Sequence, residues 1–72
     1  MISKEKLSKL IGKRIREERE KRGLSQEALA GDAGLYRTYV GHLENGRYMP
    51  TIFTIYRVAE VLKIDPLSLL KI

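Results

Sequence analysis

The chain has 72 residues, no cysteine, and a formal net charge of +5 from 14 basic and 9 acidic side chains. This length allows one domain, and the lack of cysteine excludes disulfides and thiolate metal sites, so we expect an intracellular, cytoplasmic chain stabilised by helix packing or self-association. Hydrophobic residues make up 43% and charged residues 32%, which is a globular composition without an apolar run long enough to span a membrane.

The first predicted element is a basic amphipathic helix that ends at Gly23. Its apolar residues from Leu7 to Ile15 recur three and four positions apart, and charged residues fill most of the remaining positions. Residues 1–22 hold nine Lys or Arg and four Glu, so the whole net charge of +5 lies in this segment. One-sided charge of this kind is typical of a protein that binds a polyanion such as nucleic acid or an anionic membrane surface, and a solvated helix face is the alternative.

Four shorter helices are predicted after Gly23, separated by turn and capping residues. They are 26–30 with Ser25 as N-cap, 36–45 closed by Asn45-Gly46, Ile52–Leu62 with Thr51 as N-cap, and 67–72 opened by Asp65-Pro66. The segment Gly31-Asp32-Ala33-Gly34 is predicted to form a tight turn, because glycine and Asp enter turn conformations without strain. No segment shows the alternation typical of a strand. The sequence therefore predicts an all-α, compact five-helix domain that spans residues 1–72.

Catalytic and metal-binding chemistry are poorly represented in the sequence. Such sites need clustered His, Cys, Asp or Glu side chains, and the chain has one His and no Cys. We therefore expect no enzymatic activity, no metal or other cofactor, and no small-molecule ligand.

Helices 26–30 and 36–45, joined by a short turn, have the helix-turn-helix layout. In this layout the second helix lies in the major groove of double-stranded DNA while the first crosses the backbone. The residues assigned to the outward face of the second helix are Arg37, Thr38, Tyr39, Gly41, His42 and Asn45, opposite the apolar Val40 and Leu43. A glycine inside a helix costs roughly 0.8 to 1 kcal/mol relative to Ala. Gly41 therefore indicates either a close backbone approach or a tolerated chance residue.

These motifs resemble the Cro/C1-type helix-turn-helix family, also called the XRE family, which has the lambda-repressor-like fold. The resemblance covers residues 11–70 and is carried by Gly23-Leu24-Ser25-Gln26-Glu27-Ala28-Leu29-Ala30, Ala33-Gly34-Leu35, and Leu43-Glu44-Asn45-Gly46-Arg47 followed by Pro50-Thr51. The segment Tyr36-Arg37-Thr38-Tyr39-Val40 is similar to the recognition helix of restriction-modification controller proteins, which are small dimeric transcription regulators. Tyr36 and Met49 depart from the family pattern, which commonly has a capping Ser or Asp and an Asn there.

The resemblance implies a role for each matching residue in DNA binding. Gln26 would contact a phosphate and support a base-reading side chain; Arg37, Thr38 and His42 would face bases, with Tyr36, Tyr39 and Gly41 beside them; Asn45 and Arg47 would meet the DNA backbone. Arg19 and Glu44 match a buried ion pair that links the first and third helices. The alternative for Arg37 is a solvated charge, and for Thr38 and Tyr39 it is packing on the turn or a phosphate contact alone.

The C-terminal helices carry more apolar surface than two short helices of a monomer bury, and the family dimerises through this region. The predicted dimer interface consists of Phe53, Tyr56, Leu67, Leu69 and Ile72, with Leu70 adding to the same apolar surface. An exposed apolar patch is the alternative, which monomers seldom present. Two-fold pairing would require a roughly palindromic operator.

The sequence thus predicts a homodimeric, sequence-specific DNA-binding transcriptional regulator. A protein-interaction module, such as an antitoxin or a partner of a regulator, is the alternative; it would use the basic segment only for solubility. A basic helix on a membrane surface is a third possibility, against which the interleaved Glu17, Glu18 and Glu20 argue.

Overall fold

Five α-helices and no strands form the chain, and a computed structural model describes all of residues 1–72. The helices are α1 (Lys4–Lys21), α2 (Gln26–Ala33), α3 (Arg37–Glu44), α4 (Ile52–Leu62) and α5 (Leu67–Leu70). The predicted all-α, five-helix architecture is confirmed. None of these helices combines the length and the apolar character that crossing a membrane requires.

Hydroxyl side chains cap the N-termini of α1, α2 and α4. The side-chain oxygens of Ser3, Ser25 and Thr51 each accept a hydrogen bond from the backbone N–H three residues later, at 2.9 to 3.1 Å. Each bond satisfies one of the backbone donors that a helix N-terminus leaves free. Tyr36 precedes α3 in the same extended conformation but makes no side-chain capping bond. The start of α3 therefore depends on packing rather than on a cap.

The predicted turn at residues 31–34 is wrong for three of its four positions, because α2 continues to Ala33. Gly31 and Asp32 are poor helix formers, but Ala33 is 1% exposed and its burial outweighs their low propensity. The helix ends at Gly34, which has a left-handed φ of 70°, and Leu35 N–H then donates to the Ala30 carbonyl at 2.8 Å.

The third and fifth helices are shorter than predicted. Tyr36 and Asn45 flank α3 as its N-cap and C-cap instead of lying within it. Helix α5 ends at Leu70, and Lys71 is extended with φ −65° and ψ 128°. Neither Lys71 nor Ile72 is buried, so no packing energy holds a further helical turn together.

One hydrophobic core joins all five helices. Its buried members are Ile11, Ile15, Leu29, Ala30, Val40, Ile55, Val58, Ala59, Leu62 and Leu69. Helices α1 and α3 cross with their backbones in contact, because a Cβ added to Gly12 would overlap the carbonyl oxygen of Leu43 and lie 2.8 Å from that of Glu44. The C-terminal end of α3 is thereby fixed against the middle of α1.

Leu69 lies in the core of the monomer, and its assignment to the dimer interface is wrong. Its side chain is 1% exposed, and the Arg14 guanidinium donates to the Leu69 carbonyl at 3.4 Å. Helix α5 packs on α1 with Leu69 on its buried side, and Leu67 and Ile72 remain exposed.

Candidate nucleic-acid interface

Helices α2 and α3 are held to the rest of the chain by contacts between α4 and the turn that joins them. Arg57 of α4 donates from Nε to the Ala33 carbonyl at 2.8 Å, which satisfies a free acceptor at the end of α2. A Cβ added to Gly34 would lie 2.6 Å from Nη2 of the same Arg57. The positive φ of Gly34 favours glycine at this position, and the turn between α2 and α3 begins there.

Helix α3 has one buried face and one face open to solvent. Val40, Leu43 and Glu44 are buried against α1 and the core. We call the opposite side the α3 outer face; it consists of Arg37, Thr38, Tyr39, Gly41, His42 and Asn45, of which Arg37, Thr38 and Asn45 are exposed and the others half-buried. The structure thus brings these sequence-predicted residues together on one surface.

Arg19 and Glu44 form a buried, bidentate ion pair that links α1 to α3. The distances are 2.7 Å from Arg19 Nε to Glu44 Oε2 and 3.0 Å from Nη2 to Oε1. Arg19 Nη1 also donates to the Leu24 carbonyl at 2.7 Å, so the pair reaches the loop before α2 as well. The hydrogen bonds to Glu44 raise the pKa of the Arg19 guanidinium above its ordinary value, so this charge is fixed throughout the physiological range.

Gln26 extends the ion pair toward the α3 outer face. Its Nε2 donates to Glu44 Oε1 at 3.0 Å, and its side-chain amide lies beside Gly41. A Cβ added to Gly41 would meet the Gln26 Oε1 at 3.7 Å, an ordinary contact distance. The protein itself therefore leaves room for a side chain at position 41.

An aromatic cluster borders the other flank of the α3 outer face. The rings of Tyr39 and Tyr48 are stacked with centroids 6.2 Å apart, and the ring of His42 meets Tyr48 edge-on at 5.3 Å. Tyr48 was not among the sequence-predicted site residues. In the sequence, Tyr48 is only an aromatic residue two positions after Gly46. That position does not indicate which side chains its ring contacts.

Two cations at the site are free of ion pairs within the chain. Neither Arg37 nor Arg47 takes part in any salt bridge, and both are exposed. In the second half of α1, by contrast, Glu18 binds Arg22 at 2.8 Å and Lys21 at 3.1 Å, and these contacts lower the pKa of the Glu18 carboxyl.

The cations of α1 that form no ion pair all precede Arg16; they are Lys4, Lys6, Lys9, Lys13 and Arg14. Lys9 lies against the loop after α3, since a Cβ added to Gly46 would be 2.6 Å from Lys9 Cγ. No group of three or more His, Asp or Glu side chains is arranged as a metal site would require.

Four predicted interface residues are exposed apolar side chains on α4 and in the C-terminal segment. This C-terminal apolar surface consists of Phe53, Tyr56, Leu67 and Ile72, each more than half exposed. Ile52, which was not predicted, is exposed beside Phe53 in the first turn of α4. The Arg57 guanidinium lies over the Phe53 ring, 5.3 Å from its centre, in a cation–π contact.

Comparison with known proteins agrees with this architecture. The HTH_3 helix-turn-helix family model matches residues 15–69. A 10 kDa protein of the ImmF control region of Bacillus phage phi105 is 38% identical over 63 residues, which are 88% of this chain and 69% of that protein.

Two solved structures share the fold at substantial sequence identity. The restriction-modification controller protein C.AhdI from Aeromonas hydrophila is 42% identical, with a TM-score of 0.84 over 86% of this chain and 94% of that one. SinR, a master regulator of biofilm formation solved in complex with DNA, is 34% identical, with a TM-score of 0.80 over 85% and 98% of the two chains.

The fold and the site together define a helix-turn-helix protein, in which α2 supports α3 and α3 presents a polar face. The chain belongs to the HTH_3, or XRE, family of helix-turn-helix transcriptional regulators, and restriction-modification controller proteins are among its close relatives. It is therefore a DNA-binding regulator of transcription.

Proposed function

We propose that the protein is a homodimer that reads a roughly palindromic operator by placing α3 in the major groove of each half-site. The observation that carries this proposal is the α3 outer face, whose polar groups project from a helix that is fixed on its inner side. Buried contacts hold α3 to α1 and α2, so its outer face can meet DNA without first being ordered. The protein acts as a regulator and not as an enzyme.

Arg37 is the proposed base reader in each half-site. Its guanidinium is exposed and unpaired, and its planar fork matches the O6 and N7 acceptors of guanine. Thr38 and His42 are proposed to face neighbouring bases, while Tyr39 borders them and Tyr36 lies at the rim. Gly41 lacks a side chain where the helix would come nearest the DNA.

Gln26, Asn45 and Arg47 are proposed to meet the DNA backbone. One N–H of the Gln26 amide is used by Glu44, which leaves the second N–H for a phosphate and the amide oxygen for a donor such as Arg37. Arg47 follows α3 directly, and Lys9 of α1 lies beside the same loop. These two cations supply charge for the phosphates next to the groove in which α3 lies.

The C-terminal apolar surface is proposed to be the dimer interface. A 72-residue chain buries a modest share of its surface, and several large apolar side chains of α4 and the C-terminal segment are exposed, which monomers seldom present together. A two-fold axis through this surface would set the two α3 helices about 34 to 36 Å apart, the length of one turn of DNA.

The similarity to C.AhdI supports a specific regulatory role, the control of a restriction-modification locus. The test is selection of bound sequences from random duplexes, followed by a salt titration of binding to the selected site. The proposal predicts enrichment of a two-fold symmetric site and a log-log salt slope of roughly −0.9 for each phosphate neutralised. Equal binding to selected and random duplexes would refute it and would favour a protein-interaction module.

A further inference from the structure

Tyr48 contacts the α3 outer face while contributing little to the core. Its side chain is 50% exposed, and its ring contacts in the structure are the stacked ring of Tyr39 and the edge-on ring of His42. Residues 39 and 42 are three apart on one helix, so their side chains lie next to each other on its surface. A single ring from outside the helix therefore contacts two adjacent side chains of the α3 outer face.

The loop that carries Tyr48 is fixed on both sides of it. The Arg47 N–H donates to the His42 carbonyl at 2.9 Å, which joins the loop to the last turn of α3. Met49 packs against the hydrophobic core, and Pro50 is buried. The backbone that carries the Tyr48 ring is therefore held by the fold on both sides.

The two flanks of the α3 outer face are supported in different ways. On the flank of Gly41, the support is the Gln26 amide, which is itself bound to the buried Glu44. On the flank of Tyr39 and His42, the contact is the Tyr48 ring. A side chain at a helix edge that lacks such a contact is free to sample several rotamers.

We propose that Tyr48 is a positioning residue, which holds Tyr39 and His42 in the conformations that face the DNA and thereby sharpens discrimination at the base pairs next to them. This inference rests on the proposed function of α3. Its physical basis is preorganisation: stacked and edge-on aromatic contacts restrict two rotatable side chains before binding, so less conformational freedom is lost in the complex.

The first experiment examines the free protein by NMR. His42 is the only histidine, so its imidazole protons are observed without ambiguity. The Tyr48 ring should shift these resonances in the wild type and in Tyr48→Phe, and the shift should be lost in Tyr48→Ala. Unchanged His42 resonances in Tyr48→Ala would overturn the inference without any reference to DNA.

The second experiment measures discrimination between the selected operator and single-base variants of it. Tyr39→Ala and His42→Ala first identify the base pairs that these residues read. Tyr48→Ala should lose discrimination at the same base pairs by about threefold to tenfold, with little added effect when combined with Tyr39→Ala or His42→Ala. Tyr48→Phe, which keeps the ring and lacks the hydroxyl, should bind like the wild type.

Different results would overturn the role of Tyr48 and the proposed function. An equal loss on all duplexes with a salt slope reduced by about one, or a Tyr48→Phe variant as weak as Tyr48→Ala, would make Tyr48 a phosphate contact and overturn the inference. A wild-type protein without sequence preference would overturn the proposed function, whereas a preference that Tyr48→Ala leaves intact would overturn only the role of Tyr48.

Discussion

Replacing Glu44 by Ala removes the acceptor around which α1, α2 and α3 meet. Both oxygens of the Glu44 carboxylate are used, by Arg19 at 2.7 and 3.0 Å and by Gln26 at 3.0 Å. Arg19 is 9% exposed and Glu44 is 7% exposed, so the variant leaves a guanidinium in a site with little water and one remaining acceptor, the Leu24 carbonyl.

The expected loss of unfolding free energy is about 3 to 5 kcal/mol, the cost of removing one partner from a buried pair. A domain of this length has a total stability of about 4 to 11 kcal/mol, so the loss is a large share of it. At roughly 4 to 8 °C per kcal/mol for a domain of this size, the melting temperature should fall by at least about 12 °C.

Thermal and urea unfolding followed by circular dichroism measure this loss, and Glu20→Ala is the matched control. Glu20 pairs with Arg16 at 3.3 Å on the surface of α1, with both side chains more than half exposed, so its loss should change stability by less than about 0.5 kcal/mol. The raised pKa of Arg19 adds stability that persists until strongly alkaline pH, so the difference should be the same at pH 6 and pH 8. A Glu44→Ala protein that melts within about 2 °C of the wild type would refute the buried-pair reasoning.

Three further substitutions test packing, groove contact and self-association. Gly12→Ala should lower the free energy of unfolding by about 3 kcal/mol in urea, because the added Cβ would overlap the Leu43 backbone carbonyl, which cannot rotate away. A stability near that of the wild type would contradict the backbone contact of α1 with α3. Gly41→Ala, whose Cβ would meet only the Gln26 amide, should raise stability by about 0.8 kcal/mol and weaken operator binding. Operator affinity equal to the wild type would show that Gly41 does not approach the DNA. Phe53→Ser should leave the melting temperature of the monomer almost unchanged, since the ring is 67% exposed, and weaken dimerisation about tenfold in analytical ultracentrifugation; an unchanged dimer would remove Phe53 from the interface.

Helix positions could be predicted from the sequence where capping residues and the apolar periodicity agree. Helices α1 and α4 have long amphipathic patterns with hydroxyl caps, and Ser25 and Thr51 cap the helices they were expected to cap. The end of α2 was misplaced because Gly31 and Asp32 have turn propensities, while the burial of Ala33, a tertiary effect, keeps them helical.

The packing of the C-terminal segment and the contacts of the aromatic cluster could not be predicted from local sequence patterns. In a short helix such as α5, apolar residues do not reveal which side faces inward, and docking on α1 buries Leu69 while it exposes Leu67. Tyr48 reaches Tyr39 and His42 through the path of a loop, which no spacing in the sequence records. The outer face of α3 could be predicted because the buried stripe of Val40 and Leu43 determines what lies opposite it.

Binding of the Arg37→Ala variant tests most directly whether α3 reads bases. Affinities of wild type and variant would be measured for the selected operator, for operators with each candidate guanine replaced, and for random duplex, at two salt concentrations. Arg47→Ala serves as the comparison, since loss of a phosphate contact should weaken all duplexes alike and reduce the salt slope by about one. We expect Arg37→Ala to lose about 1 to 3 kcal/mol per half-site on the operator, to become indifferent to one base pair, and to keep its affinity for random duplex. An equal loss on every duplex would contradict base reading by Arg37 and would reassign it to Thr38, Tyr39 or His42.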